Sequence, residues 1–178
     1  MLKMIGKEFF NKVANSKEDF LQAFINLLAE SRIRFCVIGG LAVNAYVDPV
    51  VSLDLDLVVV AEKIDVLVSK LKKKFKVEMF VHSINISDRN SDLRVQIQID
   101  PRYQSFLKKA RTRNVLGYRI SVAAVEDILQ GKIWAALDQT RRPSKRQKDM
   151  ADILRLLEAK PRLKKMVPAA LGRQLLGG

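Results

Sequence analysis

Hydrophobic residues recur along the chain with two spacings, and these spacings predict its helices and strands. Apolar positions three or four residues apart, as in Phe20, Phe24 and Leu28, predict amphipathic helices. Strict alternation, as in "LRVQIQID" at 93–100, predicts strands with one apolar face. The patterns predict helices over 3–13, 15–32, 41–47, 63–75, 102–113, 124–138 and 148–159, and strands over 33–40, 51–60, 77–86 and 93–100.

The remaining segments are predicted from their polar residues and glycines. Ser16 is predicted to cap the helix over 15–32, with Asp19 three residues further on. Residues 115–122 form either a hairpin or a strand broken at Gly117, and residues 139–147 form a basic loop. The end of the chain is predicted to form short helices followed by a loose Gly-Gly terminus.

This order of elements predicts an α/β (α+β) fold, in which a mixed sheet is flanked by helices and followed by a C-terminal helical extension. The predicted core is residues 1–122, including the N-terminal helices. Residues 123–178 then form a helical region packed on that core. A chain of 178 residues is long enough to bury a hydrophobic core of its own.

The run "VSLDLDLVVV" at 51–60 contains two aspartates in an otherwise apolar strand. Because side chains alternate along a strand, Asp54 and Asp56 lie on one face, roughly 6–7 Å apart. Two carboxylates at this spacing repel each other unless a cation lies between them. The pair therefore predicts a cation site.

A diglycine lies fourteen residues before the first of these aspartates. Gly39 and Gly40 end one strand and precede a short helix, so backbone N–H groups are free to bind phosphate there. Mg²⁺ prefers one or two carboxylates together with phosphate oxygens. The diglycine and the aspartate pair together predict metal-assisted phosphoryl or nucleotidyl transfer.

Charge is distributed unevenly along the sequence. The net charge is +13, and residues 101–178 hold 18 Lys and Arg against 6 Asp and Glu. This asymmetry favours a polyanionic partner, namely RNA, DNA, a nucleotide or an acidic protein, although a solvated basic surface explains it equally well. No segment is apolar enough for a membrane span or a signal peptide, so no membrane partner is expected. The single cysteine, Cys36, excludes an internal disulfide and predicts a cytoplasmic location.

The segments "VIGGLAVNAY" and "SLDLDLVV" resemble the DNA polymerase β-like nucleotidyltransferase superfamily. The run from "AAVEDILQGK" to "KDMADILRLL" is similar to the AbiEii-like branch, which includes toxins of toxin–antitoxin pairs. The resemblance covers roughly residues 34–159. It implies a nucleotidyltransferase-type sheet, a nucleoside triphosphate, one or two Mg²⁺ ions, and transfer of a nucleotidyl group to RNA, protein or a small molecule.

The resemblance assigns roles to residues of both segments. Gly39, Gly40 and Ser52 would hold the triphosphate, and Asp54 and Asp56 would bind metal and act in catalysis. The third carboxylate of the superfamily falls at Gln96 or Gln98, and a glutamine cannot act as a base. Asp100 shares their face and is the predicted substitute if the end of the strand curls toward the site.

The C-terminal segment supplies further candidates. Lys132 matches a catalytic lysine of the branch, and Asp149 or Asp152 matches a late carboxylate. Lys132 also lies on one helical face with Ile128, so its side chain could instead extend over the core. The basic loop is expected to steer the triphosphate or an RNA acceptor, or else to be a solvated loop. Trp134, Tyr118 and His82 are expected to be structural. The basic-loop candidates are Arg141, Arg142, Lys145, Arg146 and Lys148, and the nucleotide-binding set is Gly39, Gly40, Ser52, Lys145, Arg146, Lys148 and Asp149.

Three hypotheses therefore follow from the sequence. The first is a Mg²⁺-dependent nucleotidyltransferase. The second is a module that keeps the fold, has lost catalysis and still binds nucleotide or nucleic acid. The third, compatible with the first, is a toxin–antitoxin component whose basic half docks a partner protein, either a cognate antitoxin or another protein. The basic C-terminal half is also a candidate contact surface for tRNA or other RNA.

Overall fold

The structure is a computed structural model that describes residues 6–176. Seven strands form one mixed sheet in the order β3-β4-β5-β2-β1-β7-β6. The inner strands β2 and β5 are parallel, as are β1 and β7, and the other neighbours are antiparallel. The strands are β1 (Phe35–Ile38), β2 (Asp54–Val59), β3 (Lys76–Met79), β4 (Ser83–Ser87), β5 (Arg94–Gln98), β6 (Arg111–Val115) and β7 (Tyr118–Val122).

Helices surround the sheet, and the predicted mixed α/β class is confirmed. The short helix that follows β1 packs against the two longest helices, which come from the C-terminal part of the chain. The α-helices are α1 (Gly6–Val13), α2 (Phe20–Glu30), α3 (Gly39–Val43), α4 (Ile64–Leu71), α5 (Val125–Leu137), α6 (Pro143–Ala159) and α7 (Ala169–Leu176). Three 3₁₀ helices cover Ala61–Lys63, Pro101–Lys108 and Pro161–Met166.

Strand β2 separates the hydrophobic core from the polar face of the sheet. Leu55 and Leu57 are buried on one face, whereas Asp54 and Asp56 alternate onto the other. The parallel register with β5 places Asp54 beside Arg94 and Asp56 beside Gln96. One sheet therefore brings the predicted metal pair and the candidate third position into adjacent rows.

The predicted cap and the predicted long strand were both wrong in detail. Helix α2 is capped by Asp19, whose Oδ1 accepts from Gln22 N at 2.9 Å, while Ser16 Oγ bonds to Ser91 Oγ at 2.6 Å. Residues 77–86 do not form one strand. They fold into the β3–β4 hairpin, whose turn contains no Gly or Pro that would have marked it in the sequence.

Two basic segments also differ from their predicted structure. The helix predicted over 102–113 is a 3₁₀ helix, Pro101–Lys108, followed by β6, because pairing with the distant β7 overrides local helical spacing. The loop predicted over 139–147 is half helical, since α6 begins with Pro143 at its first position. Residues 115–122 resolve into a hairpin, with the turn at Leu116 and Gly117.

Two predictions fall partly outside the described part of the chain. These are residues 3–5 of the first helix and the Gly-Gly terminus at 177–178. Within residues 6–176, no helix combines the length and hydrophobicity needed to cross a bilayer. The division of the chain at residue 122 stays a prediction.

Candidate active site

The junction of β1 and α3 explains why a glycine stands at position 39. Gly39 has φ +72°, a conformation that residues with a Cβ rarely adopt. A Cβ there would overlap Asp56 Oδ2 and lie 2.9 Å from Asp56 Cβ. The register explains this proximity, because Ile38 is the direct partner of Asp56. The first glycine therefore gives the second aspartate its space.

The two aspartates of β2 have different surroundings. Asp54 pairs with Arg94 at 2.8 Å and with Lys145 at 3.4 Å. Burial raises the pKa of Asp56 above its ordinary value, and Asp54 raises it further, while the positive charge of Lys132 opposes the shift. An added cation between the carboxylates would therefore stabilise the ionised form of Asp56.

Gln96, rather than Gln98, occupies the position beside Asp56. Its amide donates to Asn85 Oδ1 at 3.1 Å and to Ser83 Oγ at 3.3 Å. These bonds hold a neutral side chain where the superfamily resemblance implies an acid. Within the described residues, the strand pair β2–β5 thus carries two carboxylates on the face of the site.

The prediction that Asp100 would replace the missing acid is not supported by its position. Asp100 lies beyond the end of β5 at Gln98, directly before the 3₁₀ helix that begins at Pro101. Its carboxylate caps the 3₁₀ helix by accepting from Arg102 N at 2.9 Å and forms an ion pair with Arg102 at 2.7 Å. The Arg102 side chain is the main cause that lowers the Asp100 pKa.

Lys132 lies between two carboxylates of α6. Its Nζ is 2.8 Å from Asp149 Oδ1 and 2.7 Å from Asp152 Oδ2, and the residue is only 7% exposed. Burial lowers the pKa of Lys132, but Asp152 and Asp149 together raise it above its ordinary value. Lys132 is therefore a fixed cation near Asp56, and the alternative in which it extends over the core toward solvent does not describe it.

Basic side chains at the start of α6 surround the aspartates. Lys145 contacts Asp54, Lys148 Nζ donates to Ser52 Oγ at 3.3 Å, and Arg141 pairs with Asp149 at 2.8 Å. Arg146 was predicted to bind nucleotide, but it points elsewhere. Its Nε donates to Ala136 O at 3.1 Å, at the end of α5. The helical period of α6 turns Arg146 away from Lys145 and Lys148.

These groups line a cavity of about 390 Å³. Its lining residues are Gly40, Ser52, Asp54, Asp56, Asn85, Arg94, Val95, Gln96, Lys132, Arg141, Arg142, Lys145, Lys148 and Asp149. A second cavity of about 80 Å³ adjoins it through Asp56 and Lys132, and includes Gly39 and Gln98. The structure thus brings together all the predicted site residues except Asp100 and Arg146.

Arg94 and Asn85 belong to the cavity but were not predicted from the sequence. Arg94 alternates onto the same face as Gln96, so its position on that face follows from the pattern of β5. Its partnership with Asp54 depends on the pairing of β2 with β5. Asn85 is the antiparallel partner of Gln96 on β4.

The residues expected to be structural lie outside the large cavity. Trp134 stacks on Phe106, with ring centroids 5.9 Å apart, and meets the edge of Tyr103 at 5.4 Å. Tyr118 packs against Phe10 and donates its hydroxyl to Asp19 at 2.9 Å. His82 lies in the exposed turn between β3 and β4.

The donor set fits a divalent metal that is bound together with phosphate. Within residues 6–176, no three His, Cys, Asp or Glu side chains cluster to hold a metal by themselves. Asp54 and Asp56 provide two carboxylates, which is the number that Mg²⁺ commonly takes from protein when phosphate oxygens complete its shell.

A mixed sheet with this glycine junction and aspartate pair, covered by basic helices, is the architecture of a nucleotidyltransferase. The chain belongs to the family described as nucleotidyl transferase AbiEii toxin, type IV toxin–antitoxin system, whose model matches residues 19–175. The resemblance found in the sequence is therefore confirmed. A comparison with curated proteins found no match.

Solved structures show the same fold at low sequence identity. ANT(2″)-Ia in complex with adenylyl-2″-tobramycin has a TM-score of 0.61 and 12% identity, covering 86% of this chain and 95% of its own. The lincosamide antibiotic adenylyltransferase LnuA, with lincomycin bound, has a TM-score of 0.54 and 13% identity, and the match covers 80% of this chain and 99% of LnuA. An antigenic nucleotidyltransferase-like protein from Paracoccidioides brasiliensis has a TM-score of 0.53 and 17% identity, and the match covers 84% of this chain and 75% of that protein.

Proposed function

We propose that this protein is a Mg²⁺-dependent nucleotidyltransferase that moves a nucleotidyl group from a nucleoside triphosphate to an RNA, protein or small-molecule acceptor. The observation that carries the proposal is the pair Asp54 and Asp56 on one face of β2, with Gly39 making room for Asp56. The pair faces a cavity lined by basic side chains, which suits a polyphosphate.

In this proposal each side of the cavity has its own role. Asp54 and Asp56 would hold Mg²⁺, which when bound would neutralise charge on the phosphates. Ser52, Lys145 and Lys148 bind the triphosphate from the side of α6, with Gly40 at the start of α3. Lys145 and Arg94 pair with Asp54 in the structure, so both are placed to exchange that carboxylate for phosphate oxygens.

Lys132 acts in the proposal as a fixed positive charge. Because Asp149 and Asp152 raise its pKa, it stays protonated at neutral pH and stabilises negative charge near Asp56. Asp149 also binds Arg141, so it links Lys132 to the basic segment that precedes α6. Gln96 would position the acceptor by hydrogen bonding. The acceptor forms a bond to the α-phosphorus as the bond to pyrophosphate breaks, and the acceptor proton passes to water because an amide cannot take it.

The basic C-terminal half favours RNA, such as tRNA, as the acceptor. The structural neighbours ANT(2″)-Ia and LnuA contain adenylyl-2″-tobramycin and lincomycin, which keeps a small-molecule acceptor as the alternative. Membership of a toxin family supports a role in a toxin–antitoxin pair with a cognate antitoxin. A cytoplasmic location is part of the same proposal.

The test is transfer of labelled nucleotide in the presence of Mg²⁺. Purified protein is incubated with each α-labelled nucleoside triphosphate and with total tRNA, cell lysate or small hydroxylated antibiotics. Asp54→Ala should abolish labelling, and chelation of Mg²⁺ by EDTA should do the same. Arg146→Ala is the matched control, because that side chain faces away from the cavity, and it should retain transfer.

A catalytically inactive binding module is the second candidate, and Gln96 is the observation that favours it. If this candidate is right, no acceptor becomes labelled. Nucleotide or RNA binding, measured by calorimetry, then persists in Asp54→Ala and Asp56→Ala. Labelling that disappears with either substitution eliminates this candidate.

A further inference from the structure

The end of β3 and the turn that follows it expose three successive large apolar side chains. Met79 and Phe80 are each 54% exposed, and Val81 is 83% exposed. A backbone hydrogen bond closes the turn, with Phe80 N donating to Ser83 O at 2.8 Å. Contiguous apolar surface on a folded protein marks an interaction site more often than isolated exposed residues do.

Strand β3, which leads into this turn, is a terminal strand of the sheet. It pairs with β4, from Lys76 opposite Ser87 to Met79 opposite Ile84. Its other side presents backbone N–H and C=O groups, and no further strand of the described chain pairs with them. Such an edge can accept an extended segment from another protein.

A cluster of lysines precedes and enters the same strand. Lys76 pairs with Glu78 at 2.9 Å, and Lys70 donates to Ser31 Oγ at 3.0 Å. The rest of the cluster takes part in no ion pair within residues 6–176. The lysine cluster consists of the exposed residues Lys70, Lys72, Lys73, Lys74 and Lys76.

We propose that residues 70–81 form a docking edge for an extended, acidic protein segment. The segment pairs with β3 as an eighth strand, its carboxylates face the lysine cluster, and its apolar side chains cover Phe80 and Val81. The positive charge of the lysine cluster favours an acidic segment over a neutral or basic one. A second copy of the chain carries the same net charge of +13, which opposes its approach, and RNA would leave the backbone edge of β3 unpaired.

The docking edge is separate from the candidate active site. In the sheet order, β3 lies three strands from β2, about 14 Å at the usual strand spacing. The cavity reaches Asn85 on β4, the direct partner of Glu78, but the free edge of β3 is on the side away from β4. A segment that pairs with that free edge therefore lies across β3 from the cavity, and the inference does not depend on nucleotidyl transfer.

A displayed library of random twelve-residue peptides, selected on the intact protein, tests the proposal. We expect enrichment of peptides in which acidic and apolar residues alternate. Labelled copies should bind the wild type and weaken by about tenfold or more on Phe80→Ser/Val81→Ser, since apolar anchors dominate such contacts. The triple variant Lys72→Glu/Lys73→Glu/Lys74→Glu should weaken binding by about the same factor.

Matched controls and competing ligands make the result decisive. Lys164→Glu/Lys165→Glu alters an exposed lysine pair elsewhere and should leave peptide affinity within about twofold. The proposal is overturned if selection enriches no acidic peptides, or if the selected peptides bind the Phe80→Ser/Val81→Ser variant as they bind the wild type. It is also overturned if the docking-edge substitutions weaken only labelled RNA or vesicles containing phosphatidylglycerol.

Discussion

At the scale of single residues, Gly39 shows how one missing side chain shapes the site. Its positive φ and its contact with Asp56 are independent reasons for glycine, and both arise where β1 enters α3. Gly40 differs, because a Cβ there would lie 3.7 Å from Asp152 Oδ2, an ordinary van der Waals distance. The two glycines of the motif are therefore not equivalent.

Gly39→Ala is expected to lower the free energy of unfolding by about 1–3 kcal/mol through backbone strain, and to displace Asp56. Urea denaturation and nucleotide binding measure the two effects. Gly40→Ala should be tolerated better in folding. Gly172→Ala, on α7 with open space around it, should raise stability by about 0.5–1 kcal/mol. Equal stability of the Gly39 and Gly40 variants would contradict this account of the junction.

Cys36 gives a prediction that depends on pH. Burial raises the pKa of its thiol to about 12, so the reactive thiolate is scarce in the folded protein. At pH 8 a thiol reagent should react slowly with native protein and rapidly after unfolding in guanidinium. Rapid reaction without denaturant would show that β1, which carries Cys36, opens readily.

At the scale of secondary-structure elements, α5 and α6 are joined by a row of buried charges. Arg155 binds Asp152, Asp152 binds Lys132, Lys132 binds Asp149, and Asp149 binds Arg141. Asp149 and Asp152 thus each have two cationic partners, which limits the cost of removing these charges from water. The row also fixes the start of α6, and with it Lys145, over the cavity.

Lys132→Met should destabilise the protein by about 3 kcal/mol, because it removes a buried charge from between two carboxylates. Urea denaturation measures the loss, with the exposed Lys164→Met as a control expected to change stability by less than about 0.5 kcal/mol. Adding Asp149→Asn and Asp152→Asn should restore part of the stability. No recovery in that triple variant would contradict the explanation from unpaired charge.

The same lysine has a defined pH dependence. Its pKa is raised from 10.5 by folding, so its stabilising contribution is present at neutral pH. That stabilising contribution is lost as the pH rises through the pKa of Lys132 in the folded protein.

The elements differ in how well the sequence predicts them. Strand β2 and helix α5 follow from alternation and helical spacing, because each faces one hydrophobic layer. The β3–β4 turn and the start of α6 were missed. The turn has no glycine or proline, and the charges of residues 141–148 resemble a loop although Pro143 begins a helix. The local pattern of residues 102–113 predicts a helix that extends into β6, because the pairing of β6 with β7 is not visible locally.

At the scale of the whole molecule, strand order decides which predicted residues meet. The chain inserts α4, β3 and β4 between β2 and β5, yet β2 and β5 are neighbours in the sheet. Local patterns placed Asp54 and Asp56 correctly on one face. They could not show that Gln96 lies beside Asp56 or that Arg94 lies beside Asp54, which follows from the register of β2 with β5. They also could not show that Asp100 lies beyond the end of β5, where its carboxylate binds Arg102.

The net charge of +13 leads to a prediction about salt. If RNA is the acceptor, its affinity should fall roughly 20-fold between 50 and 200 mM salt for three phosphate contacts on a single strand. Anisotropy of a labelled RNA measures this slope. Lys145→Ala/Lys148→Ala should reduce the slope by about 0.7 per contact removed, while Arg146→Ala should leave it unchanged. Affinity that is insensitive to salt would exclude a phosphate-based interface.

The aromatic group beside the cavity also has a practical consequence. The chain has a single tryptophan, Trp134, and it stacks on Phe106 with Arg102 over its ring. Tyr103, which touches the edge of Trp134, lines the smaller cavity. Lys132 lies two residues before Trp134 on α5 and lines the same cavity. We therefore expect occupancy of the smaller cavity to change the emission of Trp134 through Tyr103. Titration of unlabelled protein with nucleotide, followed by tryptophan emission, measures this change.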